Sequence, residues 1–202
     1  MHLVSADKPL KKPIVFLATA DIGYQDLLQA IYLHHKNVRG SSITSISSLD
    51  LKTLITNAVK DVFNTMLSMD VESLEGKPAV NPNGSHIVGT VSFAGIVMGN
   101  LNLHVEKEFA RLMTAAMLGM EIDEIDGDDV IHDVIGELCN MICGDLKSRL
   151  CDAGLACELS IPSITSGSKF KIEAKGWDRG EQLGLRTHQH TALVEFFIKS
   201  GN

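Results

Sequence analysis

Apolar residues recur at helical spacing in three long segments, residues 51–66, 106–118 and 129–153. Intervals of three and four residues place apolar side chains on one face of a helix. Residues 48–50 supply N-cap side chains for the first segment, and Gly119 stands where the second would take a C-cap glycine. The pattern therefore predicts three amphipathic helices.

Apolar and polar residues alternate in the segments between and after these helices. Residues 87–94 and 97–105 read as a hairpin, with Gly95 at the reversal. Two more strands are predicted at 156–172, broken by Pro162 and Gly167, and at 183–199. Helices that alternate with antiparallel hairpins indicate an α+β fold, a mostly antiparallel sheet with helices packed on one face.

The first 46 residues follow a different pattern from the rest. A buried strand near Pro13, a helix over 24–35 and a strand over 42–46 read as a β-α-β piece. A piece of this size cannot bury enough surface to fold alone. We therefore expect residues 1–46 to be an extension of unknown role that packs on the main domain, residues 47–202.

The charge and composition narrow the functional classes. The chain carries 18 Lys+Arg against 25 Asp+Glu, a net charge of −7, which disfavours a nucleic-acid partner. Apolar residues make up 45% of the chain, yet no run is long enough to span a membrane. The cysteines fall close together instead of closing loops, which indicates core thiols in a reducing cytoplasm. They are Cys139, Cys143, Cys151 and Cys157.

The third helix has an unusual polar side. Asp133, Glu137, Asn140 and Gly144 form one stripe, and Gly136 flanks it. A glycine within a helix costs about 1 kcal/mol relative to alanine, so an ordinary solvated face would favour other residues. The stripe is either such a face or a surface that another molecule approaches closely.

An acid and an amide one turn apart can also act chemically. A carboxamide can donate and accept hydrogen bonds and so orient a water, and a carboxylate can accept a proton or pair with a lysine. Two other kinds of site are open. His188 and His190 alternate along a predicted strand and could bind a metal, although no third ligand is evident. The acidic segment 121–129 lacks the spacing of a calcium loop and reads as a linker.

The sequence Asp133-x-x-x-Glu137-x-x-Asn140, followed by Pro162, resembles the signature of the CheC/CheX/FliY family of chemotaxis phosphatases. Gly89-x-Val-Ser-Phe-x-Gly95 and the 114–119 segment fit as well. The resemblance covers about residues 48–200 and is closest to CheX. The interval from Asn140 to Pro162 is one residue shorter than in the family signature.

The resemblance implies an enzyme that hydrolyses the aspartyl phosphate of a CheY-like receiver domain. Asn140 would orient the attacking water, Glu137 would bridge to a lysine of the receiver, and Asp133 would be orienting or peripheral. The chain would need no cofactor of its own, with Mg²⁺ held by the receiver. Gly136 and Gly144 would let the partner approach, which is our own inference. The alternative is a non-catalytic module that binds a receiver or a flagellar component.

Two further expectations concern the number of sites and of subunits. Asn57-x-x-x-Asp61-x-x-Asn64 repeats the spacing on the first helix with a shorter acid, and we interpret it as an ordinary polar face. One working site is therefore expected, as in CheX. An exposed edge of an antiparallel sheet must be paired or protected. We expect a homodimer joined along such an edge, with residues 187–198 as the candidate strand.

Overall fold

The computed structural model describes residues 45–75, 84–168 and 175–201. These residues form three helices and seven strands, with short 3-10 turns at Ile46–Ser48 and Ile122–Glu124. In chain order the elements are α1 (Leu51–Leu67), β1 (Glu72–Leu74), β2 (His86–Gly95), β3 (Val97–Glu106), α2 (Lys107–Leu118), α3 (Asp128–Asp152), β4 (Cys157–Leu159), β5 (Ser163–Gly167), β6 (Arg179–Thr187) and β7 (His190–Ser200). The predicted β-α-β extension lies outside the described residues, apart from its last two positions. None of the described helices is long and apolar enough to cross a membrane.

The strands form a single sheet in which every pairing is antiparallel. Their order is β1-β6-β7-β3-β2-β4, and β5 also pairs with β2. Val91 lies opposite Leu101, and Leu103 opposite Val194, so one face of the sheet joins the helices in a common core. The predicted α+β fold, a mostly antiparallel sheet with helices on one face, is confirmed.

The start of α1 is fixed by a cap and by an arginine from the sheet. The Asp50 carboxylate accepts hydrogen bonds from the Thr53 hydroxyl at 2.7 Å and the Thr53 amide at 3.1 Å, and these bonds lower the pKa of Asp50. Arg179 of β6 donates to the carbonyl oxygens of Ile46 and Leu49, both at 2.7 Å. The main domain therefore includes Ile46, one residue before the predicted boundary.

The prediction of one strand over 183–199 is wrong. The segment is a hairpin in which β6 and β7 reverse around His188 and Gln189. Thr187 pairs with His190, and His188 has a left-handed φ of 51°. This turn contains neither glycine nor proline, the usual sequence signals of a hairpin turn. The β-favouring residues on both sides were therefore interpreted as one continuous strand.

The position of β7 also overturns the predicted dimer edge. β7 pairs with β3 on one side and with β6 on the other, so residues 187–198 offer no free edge. Among the described strands, three have a single partner: β1 pairs with β6 alone, and β4 and β5 each pair with β2 alone.

Candidate active site

The buried side of α3 packs on the sheet and so determines where the polar side of the helix lies. Its inward residues include Ile131, Ile135, Leu138 and Ile142. A Cβ at Gly89 of β2 would collide with the Cys139 sulfur and stand 3.1 Å from Cγ2 of Ile135. Glycine at this position lets the helix lie directly on the strand.

The acidic segment before α3 builds the connection from α2. The Glu121 amide donates to the Glu124 carboxylate at 2.9 Å. The Asp128 carboxylate lies 2.7 Å from Nζ of Lys107, and this hydrogen bond lowers the pKa of Asp128. Asp128 and Asp129 also lie in the first turn of α3, where the helix dipole favours negative charge. In the part of the chain that the structure describes, no three His, Cys, Asp or Glu residues are grouped to hold a metal ion.

The predicted stripe lies along the side of α3 that faces away from the core. Asp133 and Glu137 are exposed, and Asn140 and Gly144 are half-buried. Side chains three residues apart are neighbours on a helix, so the carboxylate of Glu137 and the carboxamide of Asn140 share one surface. Across residues 45–75, 84–168 and 175–201, neither side chain makes a hydrogen bond or an ion pair. Both groups are available to a molecule that approaches the helix.

Gly136 does not form part of this open surface, which corrects the prediction that it lets a partner approach. It is buried, and a Cβ at Gly136 would stand 3.4 Å from Cβ of Pro162 and 3.8 Å from Cδ1 of Ile164. The missing side chain makes room for the loop between β4 and β5. Pro162 therefore packs on α3 one residue before Glu137.

Serine hydrogen bonds hold that loop in place. The Ser160 amide donates to the Ser92 carbonyl at 2.8 Å, and the Ser92 amide donates to the Ser160 hydroxyl oxygen at 3.0 Å. The same hydroxyl donates to the Ile161 carbonyl at 2.9 Å. Neither serine was predicted to have this role, because the hydrogen bonds join residues 68 positions apart in the sequence and leave no periodic signal.

The surface of α3 beyond Asn140 carries no side chain at Gly144. Apart from the neighbouring backbone of α3 itself, no heavy atom of the described residues lies within 4 Å of the position that a Cβ of Gly144 would occupy. One turn further along, Nζ of Lys147 lies 2.6 Å from the Glu158 carboxylate, and this hydrogen bond raises the pKa of Lys147. The open space fits the role predicted for Gly144, which stays a prediction.

The similar pattern on α1 is engaged within the chain. The Asp61 carboxylate lies 3.3 Å from Nη2 of Arg149, and Nδ2 of Asn64 donates to Asp70 at 3.2 Å. Both side chains already have partners, whereas Glu137 and Asn140 have none in the part of the chain that the structure describes. This contrast supports our interpretation that α3 carries the working site.

The two histidines do not form a pair. His188 is exposed in the turn of the β6–β7 hairpin, whereas His190 stacks on Phe109 with ring centroids 5.1 Å apart. Their predicted alternation along one strand is wrong. The metal-hydrolase alternative loses the geometry on which it rested.

Three of the four cysteines are core thiols, as predicted. Burial raises the pKa of Cys139 and of Cys143 to about 12, and the pKa of Cys157 to about 11. Cys151 is exposed in the last turn of α3, where the prediction of burial is wrong. All four are free thiols.

Comparison with solved structures identifies the fold. CheX from Vibrio vulnificus superposes with a TM-score of 0.64 at 19% identity, over 75% of this chain and 97% of that one. The CheX in a CheX–CheY–BeF3–Mg²⁺ complex from Borrelia burgdorferi gives a TM-score of 0.61 at 20% identity, over 75% and 99%. The chain has the α+β fold of the chemotaxis protein CheX.

Sequence comparison gives the family. The family model described as chemotaxis phosphatase CheX matches residues 87–185. The chain is 31% identical over 130 residues to CheY-P phosphatase CheX of Thermotoga maritima, covering 60% of this chain and 81% of that relative. This chain belongs to the CheX family of chemotaxis phosphatases.

Proposed function

We propose that this protein hydrolyses the aspartyl phosphate of a CheY-like receiver domain and so terminates a chemotaxis or other two-component signal. The observation that carries the proposal is an acid and an amide, Glu137 and Asn140, that lie on the open side of α3 and make no hydrogen bond or ion pair with any described residue. Support comes from the relative named CheY-P phosphatase and from the fold shared with a CheX bound to CheY.

Asn140 acts on the nucleophile. Its carboxamide donates through nitrogen and accepts through oxygen, so it can hold a water in line with the phosphorus. The side chain is half-buried on the outer side of α3, so a receiver has to approach the helix closely to reach it. Catalysis by positioning requires little covalent chemistry from this chain.

Glu137 holds the partner in register. Its exposed carboxylate pairs with a lysine beside the phosphoryl group of the receiver, and a charge-assisted hydrogen bond fixes the distance between the two proteins. Asp133, one turn earlier, orients the approach from the periphery, and the bare surface at Gly144 leaves space for the partner. Mg²⁺ belongs to the receiver in this proposal, and the Borrelia complex of CheX with CheY likewise contains Mg²⁺.

Turnover separates this enzyme from a module of the same fold that only binds a receiver or a flagellar component. The protein is mixed with a tenfold molar excess of phosphorylated receiver, and released phosphate is followed. An enzyme clears the excess faster than the receiver loses phosphate spontaneously, and its Asn140→Ala variant does not. Phosphate release at the receiver's own spontaneous rate with the wild-type protein would favour the binding module.

The subunit arrangement belongs to the same proposal. β5 is the candidate edge for a homodimer, because residues 163–167 contain no charge and no proline that would protect the edge from pairing. β1 is short and carries Glu72, whose carboxylate lies 2.8 Å from Arg186. We also place the protein in the cytoplasm, which its four free thiols favour.

A further inference from the structure

Ile161 is exposed to a degree that no other large apolar side chain in the described residues approaches. Its relative exposure is 88%, whereas Leu118 and Ile122 reach 45% and Met120 reaches 40%. Single exposed apolar residues are common on protein surfaces. Two further observations suggest that the exposed side chain of Ile161 contacts a partner: its backbone is held in place, and it lies beside Glu137 and Asn140.

The backbone around Ile161 is fixed on both sides. Before it, Ser160 exchanges hydrogen bonds with Ser92 of β2, and the Ser160 hydroxyl holds the Ile161 carbonyl at 2.9 Å. After it, Pro162 has a restricted φ and packs on Gly136. The side chain is thus presented to solvent by an ordered backbone, so little loop entropy is lost when a partner covers it.

The loop lies beside the catalytic stripe. Gly136, which Pro162 covers, precedes Glu137 and lies one turn before Asn140. Four residues advance a helix by about one turn and 40°, so Gly136 and Asn140 are adjacent on the surface of α3. A partner that reaches the half-buried Asn140 must descend to the helix surface next to this loop.

We infer that Ile161 is a docking residue that packs against an apolar patch on the receiver. The inference rests on the proposed function, since it takes the receiver as the occupant of this surface. The contact involves no charge that develops during hydrolysis and is equally strong in the ground and transition states. Such uniform binding acts on KM and leaves kcat unchanged.

The test measures kcat and KM for phosphate release from a phosphorylated CheY-like receiver. Ile161→Ala should raise KM by about tenfold at unchanged kcat, because much of one isoleucine side chain is no longer buried on binding. Ile161→Met should restore most of the affinity. Ile122→Ala is the matched control, since it removes an exposed isoleucine from the connection between α2 and α3, and it should change neither constant. An unchanged KM in Ile161→Ala would overturn the inference while leaving the proposed function intact.

A binding measurement keeps the two proposals apart. Wild-type protein and Ile161→Ala are titrated with a receiver carrying BeF3 and Mg²⁺. If the wild type binds the receiver but does not hydrolyse its phosphate, the proposed phosphatase activity is wrong. Weaker binding by Ile161→Ala would still support the docking role in that case. If the wild type binds no receiver of the host, both proposals fall.

Discussion

Pro162 packs on the backbone of Gly136. A Cβ built at Gly136 would stand 3.4 Å from Cβ of Pro162. This contact joins the signature proline to the signature helix next to Glu137. The proline therefore has a structural reason to accompany the acid and the amide, although it contributes no polar group. It sets the position of the β4–β5 loop beside the stripe.

The contact with Pro162 limits the size of the side chain that position 136 can accept. Gly136→Ala should keep its phosphatase activity and raise the free energy of unfolding by up to about 1 kcal/mol, since the added methyl group makes an ordinary contact and alanine favours the helix. Gly136→Leu should overpack the contact, lower that free energy by about 1–3 kcal/mol and reduce activity. Urea unfolding and phosphate release measure the two effects.

Gly144 provides the matched comparison, because it has open space around it. Gly144→Leu should unfold at no lower urea concentration than the wild type, yet it should lose activity because the leucine obstructs the partner. Full stability and full activity in Gly136→Leu would contradict the packing role.

Thiol reactivity tests the packing beneath the site. At pH 8 Cys151 should react rapidly with Ellman's reagent, since it is exposed. Cys139 and Cys143 should stay protected, because burial shields them and holds their pKa near 12, far above the ordinary value of 9.0. All four thiols should react in urea. Rapid reaction of more than one thiol in the native protein would show that α3 is not sealed against the sheet.

The open edge of β5 predicts a homodimer. Light scattering at micromolar concentration should give twice the monomer mass, and Thr165→Lys should give the monomer mass, because a lysine on an edge strand opposes pairing. Ser73→Lys on β1, at the opposite edge of the sheet, is the control and should stay dimeric. A monomeric wild type would contradict the edge-pairing proposal.

Residues 1–46 are predicted to be a packing extension that leaves the site open. A chain that begins at Ser45 keeps the contacts of Arg179 with Ile46 and Leu49. It should retain its phosphate-release rate but lose thermal stability or solubility. A sharp rise in activity on truncation would instead identify the extension as an autoinhibitory cover.

Periodicity in the sequence was enough to predict the helices, the β2–β3 hairpin and the exposed stripe. Glu137 and Asn140 became candidates because their stripe lies opposite the apolar side of α3, and their catalytic role stays a prediction. The β6–β7 turn was missed because the left-handed φ of His188 is imposed by the hairpin and has no composition signal. The role of Gly136 was misassigned because a glycine that faces a partner and one that faces Pro162 look identical in sequence. Long-range packing decided between them.

Alanine substitutions at Asn140 and Glu137 should have different effects on receiver binding if the two residues have the roles proposed. Both side chains lie outside the core, so Asn140→Ala and Glu137→Ala should fold as the wild type does. Glu137→Ala should weaken binding to the BeF3-loaded receiver more than Asn140→Ala, because it removes the charged contact. Equal losses of binding would contradict this division of roles.

The most direct test of the central claim is the single-turnover rate of receiver dephosphorylation at saturating protein. Saturation removes differences in binding, so the rate reports positioning of the water alone. Asn140→Ala should slow this rate by about 100-fold or more, as expected for loss of a positioning group. Asn64→Ala, the same change in the similar pattern on α1, should leave it unaltered. An Asn140→Ala rate equal to that of the wild type would contradict the assignment of Asn140 as the catalytic residue.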